Sequence, residues 1–429
     1  MDCKEYYRSR RTDADTALEA VRSGDKILIA PVAAQPKSTL EALARRLEQI
    51  DGITAFQMLP LISVPYLADR IKGKVRFVTC YSGPGVRDHI NNDAVEYIPV
   101  FLQNYSDLAF HYNPDVVLAQ VSPPDNHGFC SLGVSVLQMK SAIQNAKIVI
   151  AEVNEQMPRV HGDTFLHVSE FSHFVECNHP VVELPRPFIG ETEEAIGRQI
   201  AELIPDGACL QLGIGAIPDA VLRFLKDKRG LGIHSEMFSD GVMELYQEGV
   251  IDNKSKTLHK DKMISTFLMG TRKLYDFIDD NPCVQLYPAE YCNCPTVIGQ
   301  NKNLISVNSS VSVDFMGQAA SESIGTRQFS GTGGQVDFIR GAALSQGGRS
   351  ILAFPSTAGK DSEHSRIVPQ LALGTPVTTS RNDIDYVVTE YGVARLKYKS
   401  MRERALELIN IAHPAFRPEL EESLKNLGW

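Results

Sequence analysis

The stretch Ala208-Cys-Leu-Gln-Leu-Gly-Ile-Gly-Ala-Ile-Pro-Asp-Ala-Val-Leu-Arg-Phe-Leu225 decides the fold class. It opens as a buried strand over 208–212, breaks at Gly213 and Gly215, and runs on from Asp219 as an amphipathic helix. A strand that turns through glycine and proline straight into a helix is half of a βαβ unit, from which helix-covered parallel sheets are built. The same order occurs near the start: Lys26-Ile-Leu-Ile-Ala30, a turn from Pro31 to Ser38, then the helical pattern Thr39–Leu47. Further β-branched runs at Val75–Thr79, Asp115–Ala119, Lys147–Ala151, Ser350–Phe354 and Tyr386–Thr389 predict more strands of the same buried kind. The class is α/β, and the two opening units point to two similar open α/β domains.

Length supports that division, because 429 residues exceed what one hydrophobic core ordinarily holds. The Pro-rich, extended segment Pro180-Val-Val-Glu-Leu-Pro-Arg-Pro187 reads as a linker. The acidic helix Glu191–Ile200 then opens the second half, so the expected domains are 1–187 and 188–429. Ser400–Pro414 reads as a packing helix, with Ser400 as N-cap, Glu403 at the capping-box offset and Pro414 as the stop.

Composition narrows the function classes. A net charge of −9 argues against nucleic acid and against anionic membrane surfaces as partners. An acidic chain still accepts an anionic cofactor wherever a local basic patch exists. The opening residues Met-Asp-Cys-Lys-Glu-Tyr-Tyr-Arg lack the apolar core of a secretory signal, and no apolar run reaches the length of a membrane span. Eight scattered cysteines, at 3, 80, 130, 177, 209, 283, 292 and 294, read as reduced thiols of a cytoplasmic protein. Cys292-Asn-Cys294 has no second Cys or His pair at ligand spacing, so no metal is expected.

Chemistry concentrates in loops. Gly213-Ile-Gly-Ala-Ile217 lets the backbone turn tightly while the following helix offers free N–H groups to an anion. The full dinucleotide fingerprint is absent, and such a turn also serves plain strand–helix packing. Ser330-Gly-Thr-Gly-Gly-Gln-Val-Asp-Phe338 places three glycines among four residues, costly in conformational entropy for a purely structural loop. The amides of Gly331, Gly333 and Gly334 are candidate donors to an oxyanion or carboxylate.

Gly232-Ile-His-Ser-Glu-Met-Phe-Ser-Asp-Gly241 is a short apolar run ending in a polar loop around one carboxylate, Glu236. Neither a strand nor a turn needs that carboxylate, which makes it a candidate nucleophile, although most loop glutamates are simply solvated or cap a helix. His234, Ser235 and Asp240 alongside it suggest a hydrolytic triad, but no Gly-x-Ser-x-Gly elbow is present, and neighbours in sequence seldom assemble that geometry. Pro123-Pro-Asp-Asn-His-Gly-Phe-Cys130 follows a buried strand, where open α/β sheets bind ligands, so His127 is either a general base or a turn residue.

Five segments together resemble the acetyl-CoA hydrolase/transferase family: Ala151-Glu-Val-Asn-Glu-Gln-Met-Pro-Arg-Val160, Gly213–Pro218, His234-Ser-Glu-Met237, Val387-Val-Thr-Glu-Tyr-Gly-Val-Ala394 and Ile411-Ala-His-Pro414. Within the family the likeness is to the branch of 4-hydroxybutyrate and butyryl-CoA:acetate CoA-transferases, and it spans nearly the whole chain in order. The resemblance implies two similar CoA-transferase-type domains with the active site between them, in a homodimer or higher homo-oligomer. It implies coenzyme A as substrate with no permanently bound cofactor, and an acyl-CoA and a short-chain carboxylate as reaction partners.

The catalytic glutamate implied by the resemblance falls on Glu236. The loop contacting CoA falls on Gly213, Ile214, Gly215, Ala216 and Ile217, and the later glycine-rich loop on Gly331, Gly333 and Gly334. Asn308 and Lys360 lie in segments that reach CoA, and Gln35, Gln120 and His127 are candidates for the acid pocket. Arg395-Leu-Lys-Tyr-Lys-Ser400 departs from relatives that carry glycine before the Lys-Ser pair. A nucleophilic Glu236 has to be ionised, so the expectation is a carboxyl without a strongly raised pKa. The competing outcome is hydrolysis, if water reaches the acyl intermediate; a CoA-binding module on the same fold would instead tolerate loss of Glu236.

Overall fold

The computed structural model of the protein describes residues 2–62, 64–92 and 94–429. The chain forms two compact units. The first holds the residues up to Pro185 together with Ile264–Cys292; the second holds Arg186–Met263 and Asn293–Trp429.

The first unit is built on a seven-stranded sheet. Its strands are β1 (Lys26–Ile29), β2 (Ile53–Phe56), β3 (Val75–Thr79), β4 (Glu96–Tyr97), β5 (Val116–Val121), β6 (Ile148–Asn154) and β7 (His173–Cys177). Their order across the sheet is β7-β6-β5-β1-β2-β3-β4, and every pairing is parallel. β1 pairs with both β2 and β5, so the winding reverses beside it, and helix α1 (Lys37–Arg46) follows on one side. Ile27, Ile29, Leu40, Leu43, Val116, Leu118 and Ile150 meet in one buried cluster. β5 and β6 run past their apolar stretches into Gln120, Glu152 and Asn154. These polar side chains are buried, and the Asn154 Nδ2 donates to Gln120 Oε1 at 2.8 Å. A satisfied polar pair costs the sheet little, so pairing continues where hydropathy alone would end it.

The second unit carries α2 (Glu191–Leu203), β8 (Cys209–Leu212), α3 (Ala216–Arg223), β9 (Gly232–Ile233), α4 (Asp240–Gln247) and β10 (Leu304–Ser309). These are followed by α5 (Gln335–Leu344), β11 (Arg349–Ala353), β12 (Tyr386–Thr389), β13 (Gly392–Arg395) and α6 (Met401–Asn410). The sheet order is β9-β8-β10-β11-β12-β13, parallel except for the antiparallel edge strand β13. α3 starts three residues before Asp219 because Pro218 sits in its first turn, where a missing N–H costs nothing. Ser400 and Glu403 form the reciprocal capping box at the start of α6. Among the described residues no helix is long and apolar enough to cross a membrane, and all eight cysteines are free thiols.

The two sheets share strand–turn–helix construction but not strand order. The division at 187/188 also needs correction, because the second domain is not the continuous run 188–429. Val284–Leu286 pairs in parallel with His161–Gly162 of the first unit, Leu268 N–H donates to Val134 O at 2.8 Å, and Val136 N–H to Thr266 O at 3.0 Å. Backbone pairing over more than a hundred residues of sequence holds this segment in the first unit, and no local composition marks it.

Candidate active site

In the second unit β8 pairs with β9 on one side and β10 on the other, so its winding reverses at the carboxyl end of β8. Open α/β sheets form their ligand crevice at such a switch point. Three of the expected segments end there: Gly213 after β8, the Glu236 loop after β9 and Asn308 on β10.

Ser235 fixes the Glu236 loop against β8. Its Oγ accepts from Leu212 N–H at 3.3 Å and lies 3.0 Å from Leu212 O and 2.6 Å from Met237 O. His234 is buried, its backbone N–H donates to Leu210 O at 3.1 Å, and its Nδ1 lies 3.2 Å from Asn301 Nδ2. Asp240 opens α4, 3.9 Å from Arg186 Nη2. Backbone carbonyls and separate polar partners thus occupy the three side chains that suggested a triad.

Gly334 caps α5, and its N–H donates to the Glu236 carboxylate. A Cβ at this glycine would lie 2.0 Å from Glu236 Oε2 and 2.3 Å from Asn293 Nδ2. Only glycine therefore allows this approach. Asn293 Nδ2 donates to the same oxygen at 3.5 Å. Burial pushes the half-buried carboxyl up from its ordinary 4.5 to about 7, while the Asn293 amide and the Gly334 N–H pull the other way. This differs from the expectation of a carboxyl near its usual range. Both donors are neutral, and neutral donors offset only part of the desolvation of a carboxylate.

Around this centre the remaining residues divide. Gly215 takes φ +115°, a conformation that favours glycine, and leads into Ala216 and the buried Ile217 of α3. Ile214 beside it is 40% exposed. Asn308 turns inward: its Nδ2 donates to Gln211 Oε1 at 3.0 Å and to Ser306 Oγ at 2.9 Å. It stiffens the ends of β8 and β10. Gly331 and Gly333 flank Thr332, whose hydroxyl donates to the buried Glu322 at 3.1 Å. Ser330 N–H donates to Glu322 O at 2.9 Å, so Glu322 anchors the glycine-rich loop. Lys360 is exposed, beyond the two-residue strand Thr357–Ala358.

Three candidates lie in the first unit. Gln35 and Gln120 are buried at the switch point beside β1, where Gln120 Nε2 donates to Gln35 O at 2.5 Å. His127 is an exposed turn residue whose backbone N–H donates to Asp125 Oδ1 at 2.8 Å.

Sequence reasoning missed Asn293, Glu322 and the Gln211–Ser306–Asn308 network. The network had a visible signal, since Ser306 and Asn308 alternate with Ile305 and Val307 on a buried strand. Asn293 and Glu322 stand in irregular segments and had none.

The chain is 50% identical over 427 residues to the 4-hydroxybutyrate coenzyme A transferase of Clostridium kluyveri, covering 99% of both chains. The crystal structure of RipA from Yersinia pestis superposes with a TM-score of 0.94 at 36% identity over the whole of both chains. The 4-hydroxybutyrate CoA-transferase structure from Porphyromonas gingivalis gives 0.87 at 41% identity over 99% of each. The models of the acetyl-CoA hydrolase/transferase N-terminal and C-terminal domains match residues 1–185 and 270–424. The chain belongs to the acetyl-CoA hydrolase/transferase family.

Proposed function

We propose that this CoA-transferase moves CoA from an acyl-CoA, such as acetyl-CoA, to a small carboxylate such as 4-hydroxybutyrate or butyrate, with Glu236 as the covalent nucleophile. One observation carries the reading: a half-buried carboxylate at the switch point that is met by two neutral donors, Gly334 N–H and Asn293 Nδ2, the latter on Oε2.

The ionised Glu236 attacks the thioester carbonyl, the C–S bond breaks, and CoA leaves as thiolate with an acyl-glutamyl anhydride behind it. The thiolate then attacks the glutamyl Cδ, the donor acid leaves as carboxylate, and Glu236 carries CoA as a thioester. An incoming carboxylate reverses both steps. An anhydride is reactive enough for thiolate to capture it, so thioester energy is retained. When Cδ becomes tetrahedral its charge gathers on an oxygen already facing donors, and each such donor is typically worth about 10²–10³ in rate. Gly213–Ile217, Asn308, Gly331–Gly334 and Lys360 supply the CoA-facing loops in this reading, and binding of the remote nucleotide is used at the reacting centre. The same reading includes a cytoplasmic homodimer or higher homo-oligomer without a resident cofactor, on the strength of the family.

Incubation with acetyl-CoA followed by borohydride tests it by intact mass and peptide mapping. A glutamyl-CoA thioester is reduced to an alcohol, giving a mass loss confined to the Glu236 peptide. Acetyl-CoA consumed with Glu236 unmodified would overturn the covalent route.

A further inference from the structure

A second cluster of ligating groups lies at the carboxyl ends of β6 and β7 in the first unit. Glu152 is wholly buried on β6, Cys177 ends β7, and His179 follows two residues later. One ligating atom from each of the three lies within 4.8 Å of the others, and Glu152 Oε1 faces both Cys177 Sγ and His179 Nε2. We propose that these three atoms bind a borderline divalent cation of the zinc type, leaving one coordination position open.

The distances suit such an ion. Zinc binds sulfur at ~2.3 Å and nitrogen or oxygen at ~2.0–2.2 Å, so tetrahedral neighbours stand about 3.4–3.6 Å apart. Sγ and Oε1 are 3.5 Å apart as they stand. Nε2 and Oε1 are 2.7 Å apart, a hydrogen-bonded separation that opens by roughly 0.7 Å when a tetrahedral metal replaces the proton.

Two of the three ligands, Glu152 and His179, are each oriented by a neighbour, as resident metals require. Glu152 Oε2 accepts the Thr39 N–H from the first turn of α1 at 2.8 Å, which turns Oε1 towards the cluster. His179 Nδ1 lies 3.3 Å from Pro180 O, and a proton donated there leaves Nε2 as the coordinating nitrogen. The set of one thiolate, one imidazole and one carboxylate selects zinc or cobalt over magnesium or calcium. His179 keeps 18% of its side-chain surface, which gives the ion a way in. Binding displaces the proton on Sγ and the one shared by Nε2 and Oε1, so about two protons leave per metal. The ion then ties β6, β7 and, through Thr39, the start of α1.

The test uses the full chain treated with chelator and titrated with Co(II). The expected result is one equivalent bound with a cobalt–thiolate charge-transfer band and release of about two protons. Cys177→Ser should abolish the band, and His179→Ala should weaken binding more than about 100-fold, beyond the usual loss of an outer-shell partner. If Cys177→Ser does not fold, His179→Gln carries the test through affinity. No thiolate band up to millimolar cobalt overturns the site. A band unchanged in Cys177→Ser, or an affinity unchanged in the His179 variants, does so equally.

Discussion

Replacing Glu236 by glutamine should stabilise the protein, and only where the carboxyl would otherwise be charged. Burial raises Glu236 from 4.5 to about 7. Below the unfolded value both states hold the proton, and the residue costs nothing. Between about 4.5 and 7 the unfolded chain ionises while the folded one does not, so the native state loses ground steadily. Above about 7 the penalty is complete. At about 1.36 kcal/mol per pH unit it reaches about 3 kcal/mol, and solvent reaching the half-buried carboxylate brings this to about 2–3 kcal/mol.

Glutamine keeps the shape and an acceptor for Gly334 N–H and Asn293 without the charge. In a unit of this size each kcal/mol moves Tm by about 2–4 °C, so Glu236→Gln should melt about 4–12 °C higher than the parent at pH 8.5. At pH 5.0 the gain should fall below about 1 kcal/mol. Both proteins are compared by scanning calorimetry without CoA, which would itself stabilise the folded state. A gain of equal size at both pH values, or a lower Tm at pH 8.5, would refute the account of a desolvated, ionisable Glu236.

In the proposed mechanism Glu236 attacks as the carboxylate, so kcat/KM for acyl transfer should rise with pH through an apparent pKa of about 7, the folded value of the free enzyme. Asn293→Ala removes a donor that lowers this value, so the limb should move to higher pH and the plateau fall about 10²–10³-fold; coincident profiles would exclude Asn293 from the chemistry. Gly334→Ala forces a Cβ to 2.0 Å from Glu236 Oε2. It should cost at least about 10²-fold in turnover with the circular dichroism spectrum unchanged, whereas an active alanine variant would show that Gly334 need not approach the carboxylate.

Strands were legible wherever β-branched runs met glycine or proline. Val75–Thr79 and Tyr386–Thr389 match at both ends. Ser400 and Glu403 cap their helix as spacing requires, because a capping box is decided within four residues. Glu236 stood out because its polar loop closes an apolar run. Its elevated pKa did not, since desolvation depends on what packs around the loop rather than on the loop itself. Asn293 reaches Glu236 across 57 positions of sequence, and Glu322 anchors a loop ten residues further on. Such partners are chosen by the folded backbone, and no periodicity announces them. The discontinuous first unit was hidden for the same reason: two-residue pairing between His161–Gly162 and Gln285–Leu286 is too short to leave a hydropathy pattern.

That discontinuity bears on how the chain is made. The seven-stranded sheet of the first unit is complete in sequence once Cys177 has been synthesised, yet the segment 264–292 that finishes the unit follows much later. At about 5–20 residues per second, the ribosome leaves the edge at His161–Gly162 without its partner for about 6–25 s. During that interval an exposed strand edge is open to wrong pairing, with a neighbouring nascent chain as readily as with its own continuation. A gene cut after residue 187 makes the delay permanent, and the downstream product inherits a strand whose template was left behind.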